Sequence, residues 1–452
     1  MKRRPYKSRF RREGADRMSE ATTVGPVEKG ERIKILDVLR GVAVLGILLM
    51  NIPMMGLLGQ LPAPAFPAVP NLDWIAFTMQ DMLFAGSMRG LFTLLFGAGM
   101  LIMLRRADDP KDGGASVQAY LTRCFALILL GVANFAVFLW PGEILFNYGV
   151  VGLALLLFRK ARPRLLWTAA IACLVILTTA SAVPRLERAD AIREAQAASA
   201  LKAEGKTLTE EQTASLAVLE NVKAVYYPKA EALEKERVER TSFPGVVKWS
   251  AKAWQEYNMQ GEGLWGVLET LGFMLIGLAL YRSGVLTGER SLAFYGWLAV
   301  AGYGVGLAIR GGFSAWEWST AFEPNPDQMV WRILLYEVGR LPTTLGLLGL
   351  VTVLFRSGAL GRLAGVLQAI GRMALTNYVG QSVIAAVLFY ACGLVGRFGF
   401  AQLMGIAVLI WIVQAVFSLL WLRRFPMGPL EWLLRALTYG TWKPGARSEG
   451  RA

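Results

Sequence analysis

Apolar residues along this chain fall into long, nearly unbroken runs, neither the alternation of a half-buried strand nor the single stripe of a soluble helix. Ten of these runs approach the ~20 residues a helix needs to cross a bilayer. They are residues 38–58, 90–104, 119–140, 143–158, 164–183, 264–282, 292–309, 331–355, 374–396 and 401–422. The runs at 90–104 and 143–158 are short, but semi-polar residues precede each, Ser87 to Arg89 and Trp140 to Gly142, and extend them into tilted spans. The pattern predicts an all-α fold, a polytopic membrane helical bundle of about ten transmembrane helices.

What lies between the runs sets the domain organisation. Residues 184–243 carry ten basic and eleven acidic side chains in a segment rich in Ala, Leu, Glu and Lys, which predicts a two-helix extracytoplasmic insert. Within it, Glu231 with Lys235 and Glu236 with Arg240 have the i,i+4 spacing of stabilising pairs. The insert separates a first membrane half, 31–183 with helices 1–5, from a second, 244–442 with helices 6–10. The second half closes on an interfacial helix over Pro429 to Tyr439, anchored by Trp432. Residues 72–86 mix Trp74, Phe77 and Phe84 with Asp73, Gln80 and Asp81, which suits a helix at the outer interface or lining a cavity. The first run holds Asn51 and Pro53 and leads into a proline-rich stretch, so it reads as a retained signal anchor. Residues 1–30 and 443–452 read as disordered tails.

Composition narrows the chemistry. The 452 residues are 54% hydrophobic and 18% charged, with a mean hydropathy of +0.42, more apolar than a soluble core requires. Lys and Arg number 48 against 33 Asp and Glu, a net +15. Eleven of those cations fall within residues 1–34, and the others cluster just past the apolar runs. Lys34, Arg105/Arg106, Arg159/Lys160/Arg162/Arg164, Arg282/Arg290, Arg356/Arg362/Arg372 and Arg423/Arg424 mark every second loop. Positive charge on alternate loops predicts that both termini are cytoplasmic and explains the basic balance without a nucleic-acid partner. With no histidine in the chain, the Ser-His-Asp triad, an acyl-histidine intermediate and the commonest metal ligand are excluded. Cys124, Cys173 and Cys392 stand far apart within apolar runs, so neither a metal site nor a disulfide framework is expected, and no bound cofactor.

Five phrases carry a resemblance: LDVLRGVAVLGILLMNI (36–52), LFTLLFGAG (91–99), PGEILFNYGVVG (141–152), GRMALTNYVGQS (371–382) and GPLEWLLRALTYG (428–440). In identity and order they resemble the YeiB-like family of polytopic bacterial inner-membrane proteins, domain of unknown function 418. The opening phrase also resembles the first helix of transmembrane acyltransferases of the heparan-glucosaminide acetyltransferase type, which share an L-D-x-x-R-G start. The resemblance implies a bacterial inner-membrane location and an acyltransferase-like bundle. Two departures bear on that implication. In one acyltransferase branch a catalytic histidine follows the helix-one arginine by eleven positions, where Arg40 here is followed by Asn51. Where the family pattern has Gly-Asp-Ile-Leu, this chain has Gly142-Glu143-Ile144-Leu145.

Ionisable side chains inside apolar spans are the natural functional candidates, because burying them is costly. Asp37 and Arg40 are three apart at the mouth of the first helix and pair on one face. Asn51 lies nearly on that face about three turns on, ~16 Å along the axis. Glu143 and Glu269 fall near the outer ends of their helices. Glu337 and Arg340, again i,i+3, fall roughly 9 to 13 Å in, and Pro342 beside them predicts a kinked or broken helix. Asp81 and Arg89, with Asn51, Glu143 and Glu269, suggest a polar cavity opening outward. Glu143, Glu269 and Asn51 are the catalytic candidates, a carboxylate taking the acceptor's proton. Asp37, Arg40, Asp81, Arg89, Glu337, Arg340, Asn377 and Gln381 are the substrate-binding ones. The alternative for the carboxylates is neutralisation of Arg89 and Arg340, and for Asn377 and Gln381 it is interhelical glue. Gly97 and Gly99 read as close-approach positions.

Three functions fit this pattern. An acyltransferase-like enzyme would take an acyl-CoA thioester as its donor substrate, its phosphates held by Arg40, Arg105 and Arg106, and pass the acyl group to an envelope glycan or lipid. A transporter of a small anionic or amphipathic metabolite would use Glu337 and Arg340 near the midplane, although no internal repeat is evident. A scaffold would present the charged insert. The bilayer is the partner common to all three, and a homo-oligomer is compatible with each.

Overall fold

The computed structural model describes residues 33–59, 71–260, 262–320, 325–440 and 442, and every regular element among them is helical. Both expected tails and the proline-rich stretch at 61–70 lie outside the described residues. Helix α1 spans Lys34–Gly56, α2 Leu72–Phe84, α3 Ser87–Met103, α4 Ala115–Phe138 and α5 Leu145–Leu155. Then come α6 (Pro163–Ala203), α7 (Glu210–Tyr226), α8 (Ala230–Thr241), α9 (Phe243–Met259) and α10 (Glu262–Arg282). The chain continues through α11 (Leu292–Ser319), α12 (Pro326–Arg356), α13 (Arg362–Arg372), α14 (Ala374–Ala385), α15 (Phe400–Arg424) and α16 (Pro429–Tyr439). Among the described residues nine helical stretches are long and apolar enough to cross a membrane, α2 and α3 counting as one. The shorter α5, with a tight last turn to Phe158, makes the tenth apolar segment. The protein is a polytopic membrane helical bundle.

The loops marked by arginine gather at one end. Asp108, after α3, pairs with Arg159 at 2.7 Å and Lys160 at 2.9 Å, both after α5. Arg282, after α10, donates to the carbonyls of Ala161 and Arg159, and Arg356, after α12, to Gly288 at 3.0 Å. This end is called the basic side, and the opposite end the insert side. α1 is the central helix, with 72% of its apolar stretch buried, against 28% for α15. The outward residues of α15, Leu409, Ile412, Val413 and Val416, form an apolar face suited to lipid.

Two helix crossings are set by glycine. A Cβ on Gly371 would stand 1.8 Å from the Asp37 carbonyl oxygen, and one on Gly41 2.2 Å from that of Leu367, so α1 and α13 meet backbone to backbone. Gly97 against Met274 and Gly277 against Leu94 do the same for α3 and α10. Gly99 does not follow its expectation, since nothing lies within 4 Å of its Cβ position and it lines a cavity.

Three other expectations are corrected. The insert is built from three helical pieces, because α6 runs straight through Pro184 as one helix of 41 residues before α7 and α8 follow. At 1.5 Å per residue α6 is ~60 Å long, about twice the hydrocarbon thickness. The run expected to end at 309 continues as α11 to Ser319, carrying Arg310 into the bundle. Finally, α12 passes Pro342 as one helix and is not broken there.

Candidate functional site

Several helices end inside the bundle, where their last carbonyls or first N–H groups have no water to bond. Buried charges cover these ends. Arg240 of α8, 1% exposed, donates to the carbonyls of Leu57 at 2.7 Å, Met55 at 2.8 Å and Met54 at 3.2 Å, closing the C-terminus of α1, and stacks 4.2 Å from the Trp249 ring. Arg310 of α11 caps α2 through the carbonyls of Asp81, Met82 and Ala85. Cations at helix C-termini and anions at N-termini also meet the favourable end of the helix dipole. At the start of α5, Glu143 Oε2 accepts from the N–H of Leu145 at 2.8 Å and Phe146 at 3.1 Å, while Ile144 N–H donates to the Tyr378 hydroxyl at 3.0 Å. At the start of α14, Glu431 Oε1 accepts from Leu375 N–H at 2.7 Å and its Oε2 from Thr376 Oγ1 at 2.6 Å. Burial pushes the Glu431 carboxyl above its usual range, against the hydrogen bonds from Thr376 and Leu375.

Arg340 stands at the centre of the insert side with no exposed surface. Its Nη1 donates to Glu337 Oε1 at 3.0 Å and its Nε to the Gly86 carbonyl at 3.0 Å. Its Nη2 lies 2.6 Å from Glu269 Oε1, and its guanidinium 4.4 Å above the Phe273 ring. Arg89 pairs with the same Glu269. Two arginines and two carboxylates therefore neutralise one another, as buried charges must. Among the carboxylate oxygens of this cluster Glu337 Oε2 is buried with no hydrogen-bond partner among the described residues, and Arg340 Nη2 meets Glu269 as an ion pair without hydrogen-bond geometry. Beside the cluster opens a cavity of about 700 Å³, lined by Asp81, Arg89, Glu269, Glu317, Arg332 and Glu337 among aromatic side chains. Arg332 bridges Asp81, at 3.0 Å, and Glu317. The insert contributes Arg185 and Tyr226 to the wall.

A second cavity, about 390 Å³, enters from the basic side between α3, α4, α14 and α16. Arg40, Arg105, Arg106, Arg123 and Arg435 line it against one carboxylate, the capping Glu431. Deeper it is apolar, with Phe92, Phe96 and Leu127, and its inner wall carries Tyr148 and Tyr378. Tyr148 is hydrogen-bonded to Thr93, whose hydroxyl donates to the Arg89 carbonyl at 2.8 Å. Arg89 itself lines the first cavity. A chain of hydrogen bonds through Thr93 thus joins Tyr148, on the wall of the one cavity, to Arg89, on the wall of the other.

The residues singled out from sequence divide accordingly. Asp81, Arg89, Glu269 and Glu337 meet on the insert-side cavity with Arg340 behind them. Arg40, 3.4 Å from buried Asp37, lines the other cavity. Glu143 sits at the start of α5 as a cap, and neither cavity lining includes it or Asn51. Asn377 and Gln381 tie α14 to its neighbours: Asn377 Nδ2 donates to Ser418 at 3.0 Å, and Gln381 Nε2 to Gln414 Oε1 at 3.2 Å and the Val44 carbonyl at 3.1 Å. Sequence reasoning placed Arg240 only in its pair with Glu236, which forms at 3.1 Å, saw Tyr378 only as part of a polar patch on its helix, and did not single out Arg310, Arg332 or Tyr148. Arg310 carried a signal, an arginine directly after an apolar run, but Arg240 looks like any cation of a solvated helix. No cluster of three or more potential metal ligands occurs among the described residues.

Comparison with known proteins agrees with the geometry of this bundle. The family model described as "Protein of unknown function (DUF418)" matches residues 280–441. Among curated proteins the chain is 31% identical to the protein YeiB of Escherichia coli K12, over 93% of this chain and 100% of that one. It is 27% identical to YxaH of Bacillus subtilis 168, over 94% and 99% of the two chains, and 25% identical to a 39.9 kDa protein of Bacillus acidopullulyticus, over 92% and 96%. No solved structure matches. Full-length similarity, the matched domain and the ten apolar segments make this chain a member of the YeiB-like DUF418 family of polytopic membrane proteins.

Proposed function

We propose that the protein is a membrane acyltransferase that takes its acyl group from a thioester in the basic-side cavity and hands it to a hydroxyl or amine in the insert-side cavity. One observation carries this reading. Five arginines line a cavity that is otherwise largely apolar, a combination suited to a polyanionic head on an apolar acyl tail, and a hydrogen-bonded chain through Thr93 joins its wall to that of a second cavity lined with carboxylates. The basic side faces the cytoplasm on this reading, by the positive-inside rule, with both termini there. The donor is an acyl-CoA and the acceptor an envelope glycan or lipid.

The chemistry follows from which carboxylate is free. Glu143 is committed to backbone N–H groups and Glu269 to two arginines, so the proton-accepting role passes to Glu337, whose Oε2 has no partner. The acceptor oxygen or nitrogen adds to the thioester carbonyl carbon and its proton goes to Glu337. The C–S bond then breaks and the thiolate leaves, to be protonated as coenzyme A. Donor and acceptor meet at the Thr93–Tyr148 pair.

A second reading, a transporter, draws on the same opposed cavities, which are the arrangement alternating access requires. The two differ in whether the substrate is covalently changed. A thermal-shift titration of the detergent-purified protein with coenzyme A and short acyl thioesters tests the enzyme reading, because a ligand of the folded state raises apparent stability. The expected result is saturable stabilisation that weakens by about 10-fold or more in Arg40→Ala, the loss of one charge-assisted contact. No shift across the panel, with the protein folded, would contradict it.

A further inference from the structure

Hydroxyl groups along the basic-side cavity can be sorted by where their protons go. Tyr120 donates to the Gly152 carbonyl at 2.8 Å, Ser116 to Asp112 Oδ1 at 2.6 Å and Thr438 to the Leu434 carbonyl at 2.7 Å. Thr93 gives its proton to the Arg89 carbonyl, so in the Thr93–Tyr148 hydrogen bond the tyrosine must be the donor. Tyr148 therefore has none to spare. Tyr378, 2% exposed on the same inner wall, differs from these four. Its oxygen is the acceptor of the Ile144 N–H, and among the described residues no acceptor takes its own proton. A phenol that receives a hydrogen bond on its oxygen presents its O–H elsewhere, and Tyr378 is among the residues that line the cavity. The phenol is held in place from two sides, by the start of α5 through Ile144 and by the α14 backbone, whose neighbouring Asn377 and Gln381 are pinned to α15.

We infer that Tyr378 is a catalytic residue, the carbonyl-polarising donor whose hydroxyl hydrogen-bonds the acyl oxygen of a thioester in the basic-side cavity. This rests on the acyl-transfer reading. As the acceptor adds to the carbonyl carbon, the C=O electron pair moves onto oxygen, and the Tyr378 O–H strengthens its hydrogen bond to that developing oxyanion. When the C–S bond breaks the carbonyl re-forms, and Tyr378 keeps its proton throughout. Such a preorganised donor in a dry cavity acts where charge develops, and losing one costs about 10²–10³-fold in turnover.

The test uses the full-length protein in detergent with acetyl coenzyme A carrying a ¹³C-labelled carbonyl, read by isotope-edited infrared difference spectroscopy. For the wild type the expected carbonyl band lies below its position in an apolar solvent. For Tyr378→Phe it returns toward the apolar value, while free coenzyme A, which has no thioester carbonyl, still stabilises the variant. The wild-type preference for the thioester over free coenzyme A should fall by about fivefold, one hydrogen bond. A wild-type band at the apolar position, or a shifted band unchanged in Tyr378→Phe, overturns the assignment of Tyr378 and leaves the donor site standing. Failure of the wild type to bind either compound overturns both. Should Tyr378→Phe not fold, the wild-type band position alone decides.

Discussion

At the scale of single residues, the molecule depends on a few buried charges with several obligations each. Arg340 neutralises Glu337 and Glu269 and covers the Gly86 carbonyl. Removing one partner of such a set leaves the others buried and uncompensated, which costs about 3–5 kcal/mol. Arg340→Ala should therefore lower the melting temperature in detergent far more than a surface Arg→Ala. Arg340→Lys should rescue little of the loss, since an ammonium cannot reach three acceptors with the geometry of a guanidinium. Equal melting temperatures for wild type and Arg340→Lys would show that only charge matters there. Glu431 makes a prediction about pH. Its carboxyl is raised in the folded state, so over the window between the usual carboxylate value, about 4.3, and its own higher value the folded protein holds a proton that the unfolded chain has released. Stability from this group is present below that window and falls as pH rises through it. The wild-type melting temperature should lose ground over that interval relative to Glu431→Gln. Parallel pH profiles would remove Glu431 as the cause.

At the scale of elements, glycine crossings and capped ends decide which helices touch. Gly371→Ala brings a methyl onto the Asp37 carbonyl, and such overpacking costs about 1–3 kcal/mol. Gly99→Ala, in the same type of motif but facing open space, should be nearly neutral, and a thermal melt of both variants checks the contrast. Arg240→Ala uncovers three carbonyls at the end of α1. It should speed amide hydrogen exchange in α8 and in the last turn of α1 while α15 keeps its protection. The apolar runs made the nine spanning stretches and the shorter α5 legible in the sequence, because lipid forces every backbone group into a helix and so writes helix length directly into hydropathy. Position along the runs also placed Asp81, Arg89 and Glu269 together near the outer ends, with Glu337 and Arg340 deeper, and the structure brings all five to one cluster. Position could not reveal that Glu143 caps its own helix, since a cap and a base are the same residue until the neighbouring N–H groups are located. Nor could it find the role of Arg240, which depends on α8 folding back onto α1, or of Tyr378, which depends on which of its atoms is already bonded. The family phrases do contain these contacts: Ile144 of one meets Tyr378 of another, and Glu431 of the last caps the helix that bears Tyr378.

At the scale of the whole molecule, the bundle holds two cavities, one walled by residues of the basic side and one by residues of the insert side, joined through the Thr93–Tyr148 hydrogen bond. On the proposed acyl-transfer reading a donor never has to leave the side on which it is made, and an acceptor never has to enter it. Basic charge, which on a soluble protein would suggest nucleic acid, here includes five arginines that line the cavity of the basic side. The claim that chemistry joins the two compartments is tested most directly in right-side-out membrane vesicles loaded with acyl-labelled acetyl coenzyme A. The account predicts that label appears covalently attached to glycan or lipid on the outer face, that coenzyme A stays inside, and that Glu337→Gln abolishes the transfer. Label emerging in a chemically unchanged substrate, or no outward label from vesicles rich in folded protein, would contradict it.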